Sequence, residues 1–271
     1  MIYTITLDGT ESVMGKGVDV SLILKKLGVD SIATGIIHKT REKKIDTELD
    51  KAGISHAFIN PSRSRKISAQ TQQELLDYLK ENLQMGDTVV VAGKFATGID
   101  PAYLIDIATL TTKKMGYVVV DVPYATAMDI LPLHPLLIKP NKQELKDWFE
   151  LSDKSLSNEH LINLAHEMVA DGADHVLLSL GKEGAAIVNL MHAFIAPAPE
   201  VDVVDDNGAG ATLLATFLAG ITKNYAPVRN LADSIAAATD TVQSEWLTDF
   251  EKTADLQRQV IAEKISFEKA Q

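Results

Sequence analysis

The sequence predicts a doubly wound α/β fold, a mainly parallel sheet with helices on both faces, in a single domain spanning residues 1–271. Three observations carry this. Short apolar runs rich in β-branched residues, such as Thr88–Ala92, read as strands buried on both faces. Longer segments with apolar residues at helical spacing lie between them. The alternation calls for right-handed crossovers, which wind helices onto both faces of one sheet.

The elements follow in order. Residues 1–7 alternate like a strand. Residues 18–27 read as a helix ended by Gly28, and 31–37 as a strand. Ser68 opens a helix with leucines at 75, 76, 79 and 83, closed by Gly86. After Thr88–Ala92, Pro101 suits the first turn of a helix running to Met115, where Gly116 stops it. Residues 117–122 and 136–138 are strands, and Asn141 caps a helix reaching Glu150. Residues 157–170 are amphipathic, with Leu161, Leu164, Ala165 and Met168 on one side. Val176–Ser179, Ala185–Val188 and Ala193–Ala196 are strands. Helices are expected over 210–223, 231–243 and 253–263, with the charged end 263–271 a solvated tail or a last helical turn.

Composition narrows the function. With 46% hydrophobic residues over 271, the chain can bury a substantial core. It has no cysteine, which excludes disulfides, thiolate metal sites and thiol catalysis and fits a cytoplasmic protein. A formal charge of −11 with scattered basic residues makes nucleic acid a poor partner. The start lacks the pattern of a signal peptide, and no apolar run approaches the roughly 20 residues that span a bilayer. The histidines, at 38, 56, 134, 160, 166, 175 and 192, include no i,i+4 pair of the kind that binds metals.

The most informative stretch is Asn207-Gly208-Ala209-Gly210-Ala211-Thr212, followed by an apolar helix. Small residues let the backbone turn tightly and bring N–H groups close to a ligand. The helix behind them aims its positive end at the same place. This is an anion hole suited to phosphate; a tight loop before a helix with no ligand is the plainer reading.

The stretch resembles the Gly-Ala-Gly-Asp signature of the ribokinase-like sugar kinases, the phosphofructokinase-B family, and further segments match in order. Gly15-Lys16-Gly17-Val18-Asp19-Val20 is similar to the family's sugar-pocket segment, and Ala92-Gly93-Lys94 with Gly98 to its Ser-Gly-Ser loop. Asp121 matches the Asp of a Leu-Asp-Thr step. Lys139-Pro140-Asn141, with Glu144, matches Lys-Pro-Asn-x-x-Glu; Ser179-Leu180-Gly181-Lys182-Glu183-Gly184 matches a nucleotide-site turn. The pattern is closest to the subgroup that includes 1-phosphofructokinase and tagatose-6-phosphate kinase. The resemblance implies ATP and Mg²⁺ as cofactors and a sugar phosphate as substrate. It assigns Gly208, Ala209 and Gly210 to the anion hole, and Ser179, Gly181, Gly184 and Lys139 to the nucleotide. It assigns Gly15, Lys16, Gly17 and Asp19 to the sugar, and Asn141 and Glu144 to Mg²⁺ through water.

Departures from the family matter as much. Its general base is the Asp of the signature, and the matching residue here is Ala211. The lid is expected to be reduced or absent: only Val13 and Met14 separate Thr10-Glu11-Ser12 from Gly15, and residues 60–66 replace the second lid piece. The family's early sugar-binding Asp falls near Ser12, its pocket Asn becomes Asp19, and its Gly-Gly pair becomes His38-Lys39. The expectation is a kinase scaffold with its phosphate site kept and its base lost, a pseudoenzyme. The alternatives are an active hexose-phosphate kinase using Asp206 as a relocated base, or a non-catalytic interaction protein.

Plainer readings stand beside the site residues. Asn141 and Glu144 suit a helix cap, Gly181 and Gly184 a hairpin turn, and Lys139 a solvated strand end. Lys16, and the cluster Arg63, Arg65 and Lys66, could meet a phosphate or simply face water. Asp205 and Asp206 would repel a polyphosphate unless Mg²⁺ lies between them.

Overall fold

A computed structural model of the chain describes residues 1–7, 14–61, 66–152 and 156–265. The chain forms two compact units, Met1–Pro135 and Leu136–Gln271.

The first unit holds five strands, β1 (Ile2–Thr6), β2 (Ser31–Ile36), β3 (Ser55–Ile59), β4 (Thr88–Ala92) and β5 (Tyr117–Asp121). They run in the order β5-β4-β1-β2-β3, and every pair is parallel. β1 and β4 are buried along their whole length, as strands covered on two faces must be. Five helices connect and follow them: α1 (Lys16–Lys26), α2 (Lys39–Ala52), α3 (Ala69–Asn82), α4 (Tyr103–Lys113) and the short α5 (Thr126–Asp129). α1 packs against α2, and α3 against α4. The α3–α4 seam carries a bond from the Tyr103 hydroxyl to the Gln72 carbonyl at 2.6 Å. Burial pushes the pKa of that hydroxyl up. The start of α3 is as predicted: Ser68 accepts the Thr71 N–H, satisfying one open donor of the first turn.

The second unit holds β6 (Leu137–Ile138), β7 (Val176–Ser179), β8 (Ala185–Val188), β9 (Ala193–Ala196) and β10 (Glu263–Ile265). β6 and β7 are parallel; β7, β8, β9 and β10 form an antiparallel run. Its helices are α6 (Lys142–Trp148), α7 (Asn158–Ala170), α8 (Ala209–Thr222), α9 (Pro227–Val242) and α10 (Thr253–Gln257). α8 and α9 form the main helix pair of the unit, and α9 lies on β8 and β9.

Several expectations are corrected. The helix expected over 253–263 is only α10; the chain then tucks in Val260 and adds β10 to the edge of β9, pairing Glu263 with Ile195. An open edge offers backbone groups that a short charged segment can satisfy, and this outweighs local helix preference. Residues 263–265 are therefore neither tail nor helix, and 266–271 lie outside the described residues. α9 begins at Pro227 rather than Leu231, with proline in the first turn, where its missing N–H costs nothing. α3 ends at Asn82, four residues before Gly86. α2 and β3 were not foreseen. The lid departures at 10–13 and 62–65 lie outside the described residues. Among the described residues, no strand lies between β1 and α1 or between β3 and α3.

Three buried hydroxyls tie the first unit together. Ser21 Oγ on α1 lies 2.7 Å from Thr4 Oγ1 on β1 and 2.8 Å from Ser31 Oγ on β2. Removing the middle hydroxyl leaves its neighbours buried without it. Ser21→Ala is expected to destabilise the chain by about 1–3 kcal/mol, read as a lower denaturation midpoint with an unchanged m-value.

Candidate functional site

In the first unit, the glycine-lysine-glycine segment opens α1 beside the C-terminal ends of β1, β4 and β5. Gly15 caps α1 without a side chain, and Thr6 at the end of β1 supplies the missing acceptor: its Oγ1 takes the Val18 N–H at 3.1 Å. Lys16 Nζ donates to Asp121 Oδ1 at 2.8 Å. Asp121 ends β5 and is 1% exposed; its carbonyl accepts the Gly93 N–H at 2.9 Å. Asp19 is also 1% exposed and sits in the first turn of α1, where the helix dipole favours negative charge. Gly15, Lys16, Gly17 and Asp19 all lie at the start of α1. The partner of Lys16 is a carboxylate of the chain itself, a pairing that sequence reading missed. A phosphate reaching Lys16 from this side has to compete with Asp121.

In the second unit, β6 leads into the segment matching Lys-Pro-Asn-x-x-Glu. Asn141 Oδ1 accepts the N–H groups of Gln143 and Glu144, both at 2.8 Å, and Glu144 Oε2 accepts the Asn141 N–H at 2.8 Å. This is a full capping box on α6. Lys139, expected at a solvated strand end, is 3% exposed. Burying an ammonium is costly, so the solvated-strand-end reading of this residue does not hold.

The glycine turn is a hairpin between β7 and β8. The Leu180 N–H reaches the Gly184 carbonyl at 2.9 Å across a short 3₁₀ turn, Gly181–Glu183. Gly184 has φ 93°, and a Cβ there would stand 2.0 Å from the Ala196 carbonyl oxygen. The hairpin alone therefore requires glycine at this position. The turn is tied to the capping box. The Ser179 N–H donates to the Pro140 carbonyl at 3.0 Å, and Lys142 pairs with Glu183 at 2.7 Å. Hydrogen bonds from Lys142 and then Asn158 hold the Glu183 carboxyl below its ordinary pKa.

The loop before α8 holds the anion-hole residues. Gly208 is the N-cap at φ 87°, and a Cβ there would meet Leu247 Cδ2 at 2.7 Å. It gives α8 no side-chain cap, unlike the Ser or Asn caps of α3, α6 and α7. The first N–H groups of a helix have no intrahelical acceptor, so Ala209, Gly210 and Ala211 start α8 with donors and a positive end. Ala211 is 2% exposed. Asp205 Oδ1 is engaged by Asn207, through its backbone N–H at 2.9 Å and its side-chain amide at 2.7 Å. Asp206 is exposed, and its carbonyl accepts the Ala209 N–H at 3.4 Å, so that donor already has a partner in the loop. Among the described residues, no group of three or more His, Asp or Glu side chains is placed to hold a metal. No described helix is long and apolar enough to cross a membrane.

Comparison with known proteins identifies the family. Residues 16–253 match the pfkB family of carbohydrate kinases. A D-tagatose-1-phosphate kinase from Bacillus licheniformis is 30% identical over 257 residues, covering 88% of this chain and 84% of that protein. A 1-phosphofructokinase from Borreliella burgdorferi is 28% identical, covering 93% and 87%. The crystal structure of a candidate phosphofructokinase from Staphylococcus aureus superposes with a TM-score of 0.86 at 27% identity, covering 99% of this chain and 100% of that one. The chain belongs to the pfkB family, with its ribokinase-like, mostly parallel sheet and helices on both sides.

The Lys16–Asp121 pair generates a prediction. Lys16→Met removes the cation beside a buried carboxylate. It is expected to cost about 1–3 kcal/mol, below the full buried-pair figure because the Lys16 side chain is 30% exposed. Adding Asp121→Leu should recover most of that loss in a double-mutant cycle read by denaturation.

Proposed function

We propose that this pfkB-family chain is a sugar-phosphate kinase scaffold that binds Mg·ATP but transfers phosphate weakly or not at all. The observation that carries the reading is Ala211: the residue matching the family's base is a methyl side chain buried in the first turn of α8. The reading takes residues 1–271 as one kinase domain.

In the transfer, the sugar hydroxyl oxygen bonds to the γ-phosphorus of ATP. The bond from that phosphorus to the bridging β-oxygen breaks, and the hydroxyl proton must leave to a base. Phosphoryl transfer depends mostly on positioning and charge. On this reading the N–H groups of Gly208, Ala209 and Gly210 hold the transferring phosphoryl. Ser179, Gly181, Gly184 and Lys139 border the nucleotide, and Gly15, Lys16, Gly17 and Asp19 border the sugar. The capping box presents hard oxygens, which suit Mg²⁺ held through water. When bound, Mg²⁺ offsets the charge of the phosphates beside Asp205 and Asp206. What the scaffold lacks is the proton acceptor, and a positioned base is worth about 10²–10⁴ in rate.

Asp206 supports a second reading, an active kinase with a relocated base, because its carboxylate is exposed on the same loop. The experiment is ADP release with fructose 1-phosphate and tagatose 1-phosphate, the compounds named by the relatives, using the native chain and Ala211→Asp. The native chain should stay near background while Ala211→Asp gains roughly 10²-fold or more. Native turnover abolished by Asp206→Asn would overturn the impaired reading in favour of the second. Mg·ATP at about 100 times its Kd should raise the stability of the native chain by about 2.7 kcal/mol. A chain with neither a nucleotide-linked shift nor turnover in either form would be an interaction protein on a kinase scaffold.

A further inference from the structure

The loop that enters α8 is gripped from one direction. The N–H groups of Val204 and Asp205 both donate to the Val242 carbonyl, at 2.7 and 3.3 Å. Val242 is the last residue of α9. One residue earlier, the Thr241 hydroxyl donates toward Thr212 Oγ1 at 2.9 Å and toward the Ala237 carbonyl of its own helix at 3.1 Å. Thr212 stands in the first turn of α8, directly after Ala211. Both threonines are fully buried. The Thr241 methyl also closes the space beside Gly208, where a Cβ would lie 3.6 Å away.

This hydroxyl pair lies beside the loop. The two helices share another directional contact further from it, where the Asn230 side-chain amide donates to the Phe217 carbonyl at 2.7 Å, and the rest of their buried faces is largely alanine, leucine, isoleucine and phenylalanine. Valine has the shape of threonine, would fill either site and would avoid desolvating a hydroxyl. A buried hydrogen bond between two helices adds direction: it is made in one register and lost when either helix slides or turns. Here that register sets where the first N–H groups of α8 point. An anion hole works only while its donors stay aimed at the oxygen positions.

We propose that Thr241 is a positioning residue for the phosphate loop: through Thr212 it locks the start of α8, so that the donors from Gly208 to Ala211 keep one direction. The ligand part of this inference rests on the nucleotide reading given above.

The test compares Thr241→Val, Thr241→Ser and Ser234→Ala. Ser234 Oγ bonds the Asn230 carbonyl at 2.7 Å within α9 and is equally buried, so its loss reports the cost of a buried helix hydroxyl away from the loop. Two quantities are read on the full chain: amide hydrogen exchange over 204–212 without ligand, and the Kd for Mg·ATP by calorimetry. Thr241→Val should lose exchange protection across the loop and bind Mg·ATP about tenfold more weakly, while Thr241→Ser and Ser234→Ala stay near the native chain. Equal effects of Thr241→Val and Ser234→Ala on both readouts would overturn the proposal, leaving Thr241 a stability residue only. If the native chain binds no Mg·ATP, the nucleotide reading fails. The exchange pattern still decides the lock: protection lost in Thr241→Val alone upholds it, and protection kept overturns it.

Discussion

A helix that begins without a side-chain cap leaves N–H donors that must be answered by something else. α8 is built around that constraint. Gly208 takes a left-handed turn and packs against Leu247, so no side chain intrudes on the first turn. Behind it the helix is apolar and buried along its length, which fixes its axis. Ahead of it, Asp205 is folded onto Asn207 and the loop backbone is tied to the end of α9. Donor directions set by packing are the form of electrostatic preorganisation that phosphoryl transfer uses.

The first unit solves a different electrostatic problem. Lys16 and Asp121 come from segments 105 residues apart, and their pairing leaves little net charge where β1, β4 and β5 end. Asp19 adds a buried carboxylate in the first turn of the same helix. An anion approaching Lys16 would have to compete with Asp121 for the ammonium.

What could be read from the sequence follows from how local each signal is. β4, β7, β8 and β9 stand where their apolar runs placed them, because an apolar strand that is at least half buried needs little context beyond its own residues. α2 escaped because only Ile45 and Leu49 of its fourteen residues are buried, too thin a stripe to show a period. β3 escaped because none of its residues is fully buried. The end of the chain misled because β10 forms only where β9 offers an edge. In the site, the capping box of Asn141 and Glu144 was legible as a motif. The burial of Lys139, the Lys16–Asp121 pair and the Thr241–Thr212 contact were not, since each depends on segments distant in sequence or on interior packing.

The change at residue 211 bears on binding as well as on rate. A carboxylate there would gain from the helix dipole but would be desolvated, and it would stand against a triphosphate of the same sign. A kinase tolerates that repulsion because the proton acceptor must sit beside the reacting oxygen. With alanine that repulsion would be absent and the methyl packs, so an anion at the start of α8 would meet no negative charge at residue 211. Residual negative charge then lies on Asp205, whose Oδ1 accepts two hydrogen bonds from Asn207, and on Asp206, which is exposed and screened by water. Alanine at 211 therefore lowers the electrostatic cost of an anion at the start of α8 and at the same time leaves that position without a proton acceptor.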